Sequence, residues 1–370
     1  MVSARETGPR NPRWPSGPRD LVAGAAALLA GVQASRDPAP AGGGRGGGAY
    51  IPGMTAVKIT VQAAGGRQLE ALATGPRDGL TVVLHNGTPA GLVACPPVAE
   101  AAAALGLRLV LYSRPGYGDS TPDPGRRVAD AAADLAAVLD ALGTAEFVTV
   151  GWSGGGPHAL ACAARLPGRC LAAATMAGVA PYGADDLDWV AGMGAENIDE
   201  FGAALAGADT LTTFLEPAAR EMAALTGPVV AEGLGGLVSA ADKAAVTGEF
   251  ADYLAESFRA AVAGGIAGWR DDDLAFTTDW GFTMADAGGG APVAVWQGDQ
   301  DMMVPYSHGQ WLAAHIPGAR AHLLPGEGHL TLVHASGAIL DDLLGLAGRG
   351  GGDHGRGVSK PSTREPLDYT

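Results

Sequence analysis

Six short, unbroken apolar runs recur along the chain, at 80–85, 107–112, 146–151, 171–176, 292–297 and 320–324, each closed within a few residues by Gly, Pro or Asp. Between them lie Ala/Leu-rich stretches with helical spacing, at 97–105, 127–142, 156–166, 307–315 and 335–346. A strand that is apolar at every position must be covered on both faces, so this alternation predicts a parallel sheet with helices on either side. Upstream, 56–63 and 68–74 alternate apolar with polar residues around Gly65-Gly66 and predict a hairpin. The expected fold is therefore α/β, a mostly parallel doubly wound sheet of about eight strands. The alternation breaks once. From 184 to 288 the strand signal vanishes and aromatics such as Trp189, Phe201, Phe214, Phe250, Trp269 and Phe276 recur in helical stretches. That segment reads as an inserted helical cap, leaving 54–183 and 289–347 as the core.

The flanks read differently. Residues 1–53, with the tract PAPAGGGRGGG at 38–48, and 348–370 are low-complexity and are expected to be disordered. The apolar run at 21–34 is shorter than the roughly 20 residues a bilayer span needs. It could serve as the apolar part of a secretory signal, which makes secretion the alternative to a cytoplasmic location. The glycine tract follows no strand and opens no helix, so it is not a dinucleotide fingerprint. A net charge of −15 over 370 residues disfavours phosphate backbones and anionic membranes. The expected partner is a small-molecule substrate, with no nucleic acid and no stable membrane association; a homodimer is left open. Cys95, Cys162 and Cys170 form no CxxC and are expected to be small buried apolar residues in a reducing compartment.

The chemistry concentrates at three turns. Residues 147–158 read FVTVGWSGGGPH: a strand runs into Gly151-Trp152-Ser153-Gly154-Gly155, and a helix opens near 156. In that context G-x-S-x-G is a sharp turn that lifts the Ser hydroxyl off the sheet, with small neighbours because strand and helix pack closely around it. A serine is a weak nucleophile at neutral pH and needs a base held by an acid. The elbow predicts the order Ser, then Asp or Glu, then His. Downstream, GDQDMMVP at 298–305 and PGEGHL at 325–330 both follow strands, where ligand sites of open parallel sheets lie. Ser153, Asp301 and His329 are the candidate nucleophile, acid and base. Asp299 is the rival acid, with Asp185 and Asp186 more remote; His322 and His334 are the rival bases. The seven-residue spacing of His308, His315, His322 and His329 crosses helix, strand and loop, so no face is shared and no metal site is expected. His158 is expected to pack inside the helix after the elbow, and His85 to bond locally near the 86–89 loop.

From about 56 to 347 the chain resembles the α/β-hydrolase family, through GWSGG (151–155), GDQDMMVP (298–305), GEGH (326–329), NGTP (86–89) and SRPGYGDS (113–120). The resemblance implies a catalytic triad of Ser153, Asp301 and His329 and an oxyanion hole made by the backbone N–H groups of Thr88 and Gly154. It also implies a helical cap over the site. Many relatives carry His where Asn86 stands, which puts the side-chain anchoring of that loop in question. The implied activity is that of a serine hydrolase needing no cofactor or metal, acting on an ester, amide or lactone; carboxylesterase-like action leads. The alternatives are a proline-iminopeptidase-like aminopeptidase, which cap residues binding an amino terminus would mark, and a non-catalytic small-ligand receptor on the same fold.

Overall fold

The structure, a computed structural model, describes residues 56–349. The expectations for the segment before 54 and for the tail from 350 onward lie outside the described residues.

Eight strands form one sheet in the order β1-β2-β4-β3-β5-β6-β7-β8. The strands are β1 (Val57–Gln62), β2 (Gln68–Thr74), β3 (Thr81–His85), β4 (Arg108–Tyr112), β5 (Phe147–Trp152), β6 (Cys170–Met176), β7 (Val293–Gly298) and β8 (Arg320–Leu324). β1 and β2 pair antiparallel across the Ala64–Gly66 turn, and β2 joins β4 antiparallel. The remaining pairs are parallel. The hairpin and all six apolar runs are therefore strands.

The unbroken apolar character of the central strands has its expected cause. Leu109, Leu111, Val148, Val150, Ala172 and Ala174 face one apolar layer. Their neighbours Val110, Phe147 and Ala173 face the other. The first layer is closed by α1 (Pro96–Ala104), through Val98 and Ala102, and by α12 (Ser336–Leu346), through Ile339 and Leu343. The second is closed by α2 (Ala131–Ala141), α3 (Gly155–Arg165), α10 (Met284–Gly290) and α11 (Tyr306–His315). Inside the sheet, Thr149 Oγ1 donates to Val83 O at 3.1 Å.

The insertion contains α4 (Ala195–Ala206), α5 (Ala208–Met222), α6 (Gly227–Gly233), α7 (Ala240–Ala245), α8 (Gly248–Val262) and α9 (Ala267–Phe276). Leu211, Phe214, Leu215, Met222 and Trp269 build a third apolar cluster there. α10, which begins inside the expected insertion and ends two residues past it, packs on α3: a Cβ at Gly290 would meet Ala163 O. Residues of α4, α5, α6, α8 and α9 line a cavity together with Ser153, and in that sense these helices roof it. Among the described residues, no helix is long and apolar enough to cross a membrane.

Candidate active site

β5 delivers Ser153 to the carboxyl edge of the sheet. Its backbone lies in the left-handed region, φ 55°, a strained conformation for a residue with a side chain. Two hydrogen bonds hold it there: Ser153 N–H donates to Met176 O at 2.8 Å, and Gly156 N–H donates to Ser153 O at 2.9 Å. The small neighbours have a steric cause. A Cβ on Gly151 would run into the Gly155 carbonyl, and one on Gly155 into His85 O.

Asp301 and His329 meet 28 residues apart in sequence. His329 Nδ1 lies 2.9 Å from Asp301 Oδ2, and both residues are buried. Asp301 has its other contacts filled: Oδ1 accepts from Met303 N–H at 2.9 Å and Val304 N–H at 2.8 Å, and Oδ2 from Gln297 Nε2 at 2.9 Å. An acceptor at Nδ1 fixes the proton there and leaves Nε2 facing away from the acid. Burial alone would lower the His329 pKa; the charge and hydrogen bond of Asp301, with the Asp242 charge behind, overcome this and raise it above 6.5.

Ser153 and His329 line one recess of about 70 Å³ with Gly87, Thr88 and Trp152. Among the described residues Ser153 Oγ makes no hydrogen bond, to His329 or to any other group. The Trp152 indole bridges the two turns, donating to His329 O at 3.3 Å. Thr88 sits against the elbow, since a Cβ on Gly154 would strike its hydroxyl. Among the described residues neither the Thr88 nor the Gly154 amide donates to a protein acceptor, and both residues line the larger cavity beside Ser153.

The rivals are elsewhere. Asp299 is exposed and accepts from Gly326 N–H at 2.8 Å. His322 pairs with Asp342 at 2.9 Å and stacks on Trp296, and His334 lies against Phe250. His308 accepts from Ala180 N–H at Nδ1 and bonds Trp189 O at Nε2; burial lowers its pKa to about 4. Asp185 only offers its carbonyl to Trp311.

A family description, alpha/beta hydrolase fold, matches residues 81–335. The chain belongs to the α/β-hydrolase family. Over 134 residues it is 36% identical to a non-heme chloroperoxidase of Streptomyces lividans, a stretch covering 36% of this chain and 49% of that relative, about half its length. Among solved α/β-hydrolase-like structures, a bromoperoxidase from Bacillus anthracis aligns with TM-score 0.57 at 22% identity, covering 78% of this chain and all (100%) of that one. An esterase from Thermogutta terrifontis aligns with TM-score 0.55 at 21% identity, covering 79% and 99%.

Around this α/β-hydrolase site lie residues that no motif announced. Asp272, on α9, is fully buried and sits at the centre of a polar cluster. Arg114 Nη2 donates to it at 2.6 Å, Arg126 Nη2 at 2.7 Å, Tyr117 Oη at 2.9 Å and Thr88 Oγ1 at 2.8 Å. Arg114 also donates to Asn86 O at 2.7 Å and Gly87 O at 2.8 Å. Burial would raise the Asp272 pKa, but the two guanidinium groups hold it well below the usual carboxylate range. Asn86 supplies its own anchor, Nδ2 to Gly91 O at 2.9 Å. His85 does not serve the loop: its ring turns into the interior, with Nε2 3.6 Å from Cys162 Sγ and Nδ1 without a partner. His158 is packed as expected, fully buried, its pKa pushed down to about 4 by burial. All three cysteines are free and buried, and burial pushes the Cys95 and Cys170 thiols up to about 12.

The second unannounced residue is Asp242, on α7 and also fully buried. Its carboxylate accepts from the N–H groups of His329 (3.0 Å), Leu330 (2.7 Å) and Thr331 (3.0 Å). A helix of the insertion thus grips the backbone of the turn that carries His329. Among the described residues, no group of His, Cys, Asp and Glu is arranged to hold a metal ion.

Proposed function

We propose that this chain is a serine hydrolase that needs no cofactor and cleaves an ester, amide or lactone of a small molecule through an acyl-enzyme on Ser153. The reading rests on one observation: the strained Ser153 turn and His329, paired with Asp301, line a single recess. His329 Nε2 takes the Ser153 proton as Oγ attacks the carbonyl carbon. The developing oxyanion is received by the Thr88 and Gly154 amides. Asp301 keeps the proton of the neutral ring on Nδ1 and stabilises the imidazolium. His329 then protonates the leaving group and later deprotonates the water that releases the acid. Catalytic hydrogen bonds often tighten only with substrate in place, so the open Ser153–His329 contact is compatible with these roles. A cytoplasmic setting is supported by three free thiols.

Labelling by a fluorophosphonate tests the reading. The expected result is stoichiometric modification of the folded chain that disappears in Ser153→Ala. Labelling that survives that substitution would overturn it.

A further inference from the structure

The cavity beside Ser153 has a volume of about 170 Å³ and is mostly apolar, walled by Phe201, Phe214, Phe258, Trp269 and Phe276. Three acidic residues are nevertheless among its lining: Glu196 and Glu200, one helical turn apart on α4, and Asp273 on α9. The neighbouring acids of α9 are accounted for. Asp271 has Arg270 at 2.8 Å, and Asp272 has Arg114 and Arg126. Asp273 has no such cation. It is only 1% exposed, and its Oδ2 has no hydrogen-bond partner. Glu196 Oε2 is likewise buried and unpartnered, while Glu200 Oε1 accepts from the Trp269 indole at 2.7 Å. Among the described residues, no Lys, Arg or His lies within ion-pair distance of any of the three. Burial, reinforced by the charge of Glu200, drives the Asp273 carboxyl well above its ordinary range, and burial raises Glu200 too.

A buried carboxylate without a counter-charge is costly, and a cavity that retains one is suited to a ligand that supplies the missing cation. We propose that Glu200 and Asp273 form a subsite for a primary or secondary ammonium group, so that the preferred substrates are apolar amines bearing the scissile ester or amide. The aromatic walls match this class twice: they bury its apolar body, and their ring faces attract a cation. Ser153 and Gly154 line the same chamber, so a bound ammonium would set the reach from the charged group to the attacked carbonyl. The assignment of substrate class rests on the hydrolase reading above; the amine subsite itself is testable without turnover.

The test is calorimetric titration of the Ser153→Ala protein with n-hexylamine and with n-hexanol, its neutral counterpart, at neutral pH. Hexylamine is expected to bind at least about tenfold more tightly, or to bind where the alcohol gives no measurable heat. In the added background of Asp273→Asn or of Glu200→Gln, both close in shape to the original, that preference is expected to shrink to about twofold or less. Equal or tighter binding of hexanol to Ser153→Ala overturns the subsite whatever the other variants do, including if they fail to fold. A preference that survives in both folded variants reassigns the carboxyl pair to a structural tie between α4 and α9. Failure of fluorophosphonate labelling alongside intact amine preference would instead strike the hydrolase reading and leave the subsite standing.

Discussion

At residue scale the site is a set of single hydrogen bonds, and each makes a separable demand. As the proposed base, His329 would work only when neutral, and the Asp301 charge raises its pKa against the lowering effect of burial. Activity is therefore expected to fall as pH drops, with a midpoint above 6.5, the ordinary value. A pH profile of kcat/KM on a neutral ester checks this; a profile flat to below that value would remove His329 as base. Asp301→Asn should lower kcat on the order of 10⁴-fold, because the ring loses the acceptor that fixes its tautomer. The same change should move the acidic limb to lower pH, since the counter-charge is gone. Asp299→Asn should leave kcat nearly unchanged, because Asp299 faces solvent and only ties the 326 turn. The spacing of GDQD points to Asp301, three residues after the glycine as in the resembling family, and Asp301 is the aspartate that lies 2.9 Å from His329 Nδ1. The open Ser153–His329 contact was not legible, because side-chain rotation leaves no trace in a motif.

At the scale of elements, two helices of the insertion are pinned to the machinery below them. α7 holds the His329 turn through Asp242, and α9 holds the Thr88 loop through Asp272 and Arg114. Both aspartates bond to backbone or side-chain partners, so on the proposed mechanism they are positioning residues. Asp242→Asn is expected to cut kcat by up to about 10²-fold, the scale of a misplaced catalytic group, with KM little altered. Steady-state kinetics on one chromogenic ester would show the split; an unchanged kcat would mean that the turn holds its place without α7. The strand and helix pattern was readable because each apolar run had to be buried on both sides. The membership of α10 was not. Its sequence continues the helical insertion without a break, and only its packing on α3 separates it from the roof.

Over the whole molecule, core and roof share one buried ionic cluster, and this is expected to couple their unfolding. Arg114 and Arg126 are 4% and 7% exposed, so removing Asp272 would strand both charges. Asp272→Ala is expected to cost about 3–5 kcal/mol, against a far smaller loss for an exposed pair. Calorimetry of the parent chain should give a single unfolding transition, and two resolved transitions would show that roof and core melt apart. The cluster's contribution also has a pH sense. Because Asp272 is held below the ordinary carboxylate range, that stability is present at neutral pH and is lost only as pH falls through the depressed value. The linear order of residues was enough for the layered sheet, the elbow at 153 and the turns carrying 301 and 329, because periodicity and turn chemistry are local properties that neighbours in the chain can express. It could not assign Asp272 to two arginines, Asp242 to three amides, or Asp273 to a cavity with no cation. Those three are buried acids in ordinary helical contexts, and what sets them apart is the charge and hydrogen-bonding state of groups up to 184 positions away, which only the packed chain brings within reach.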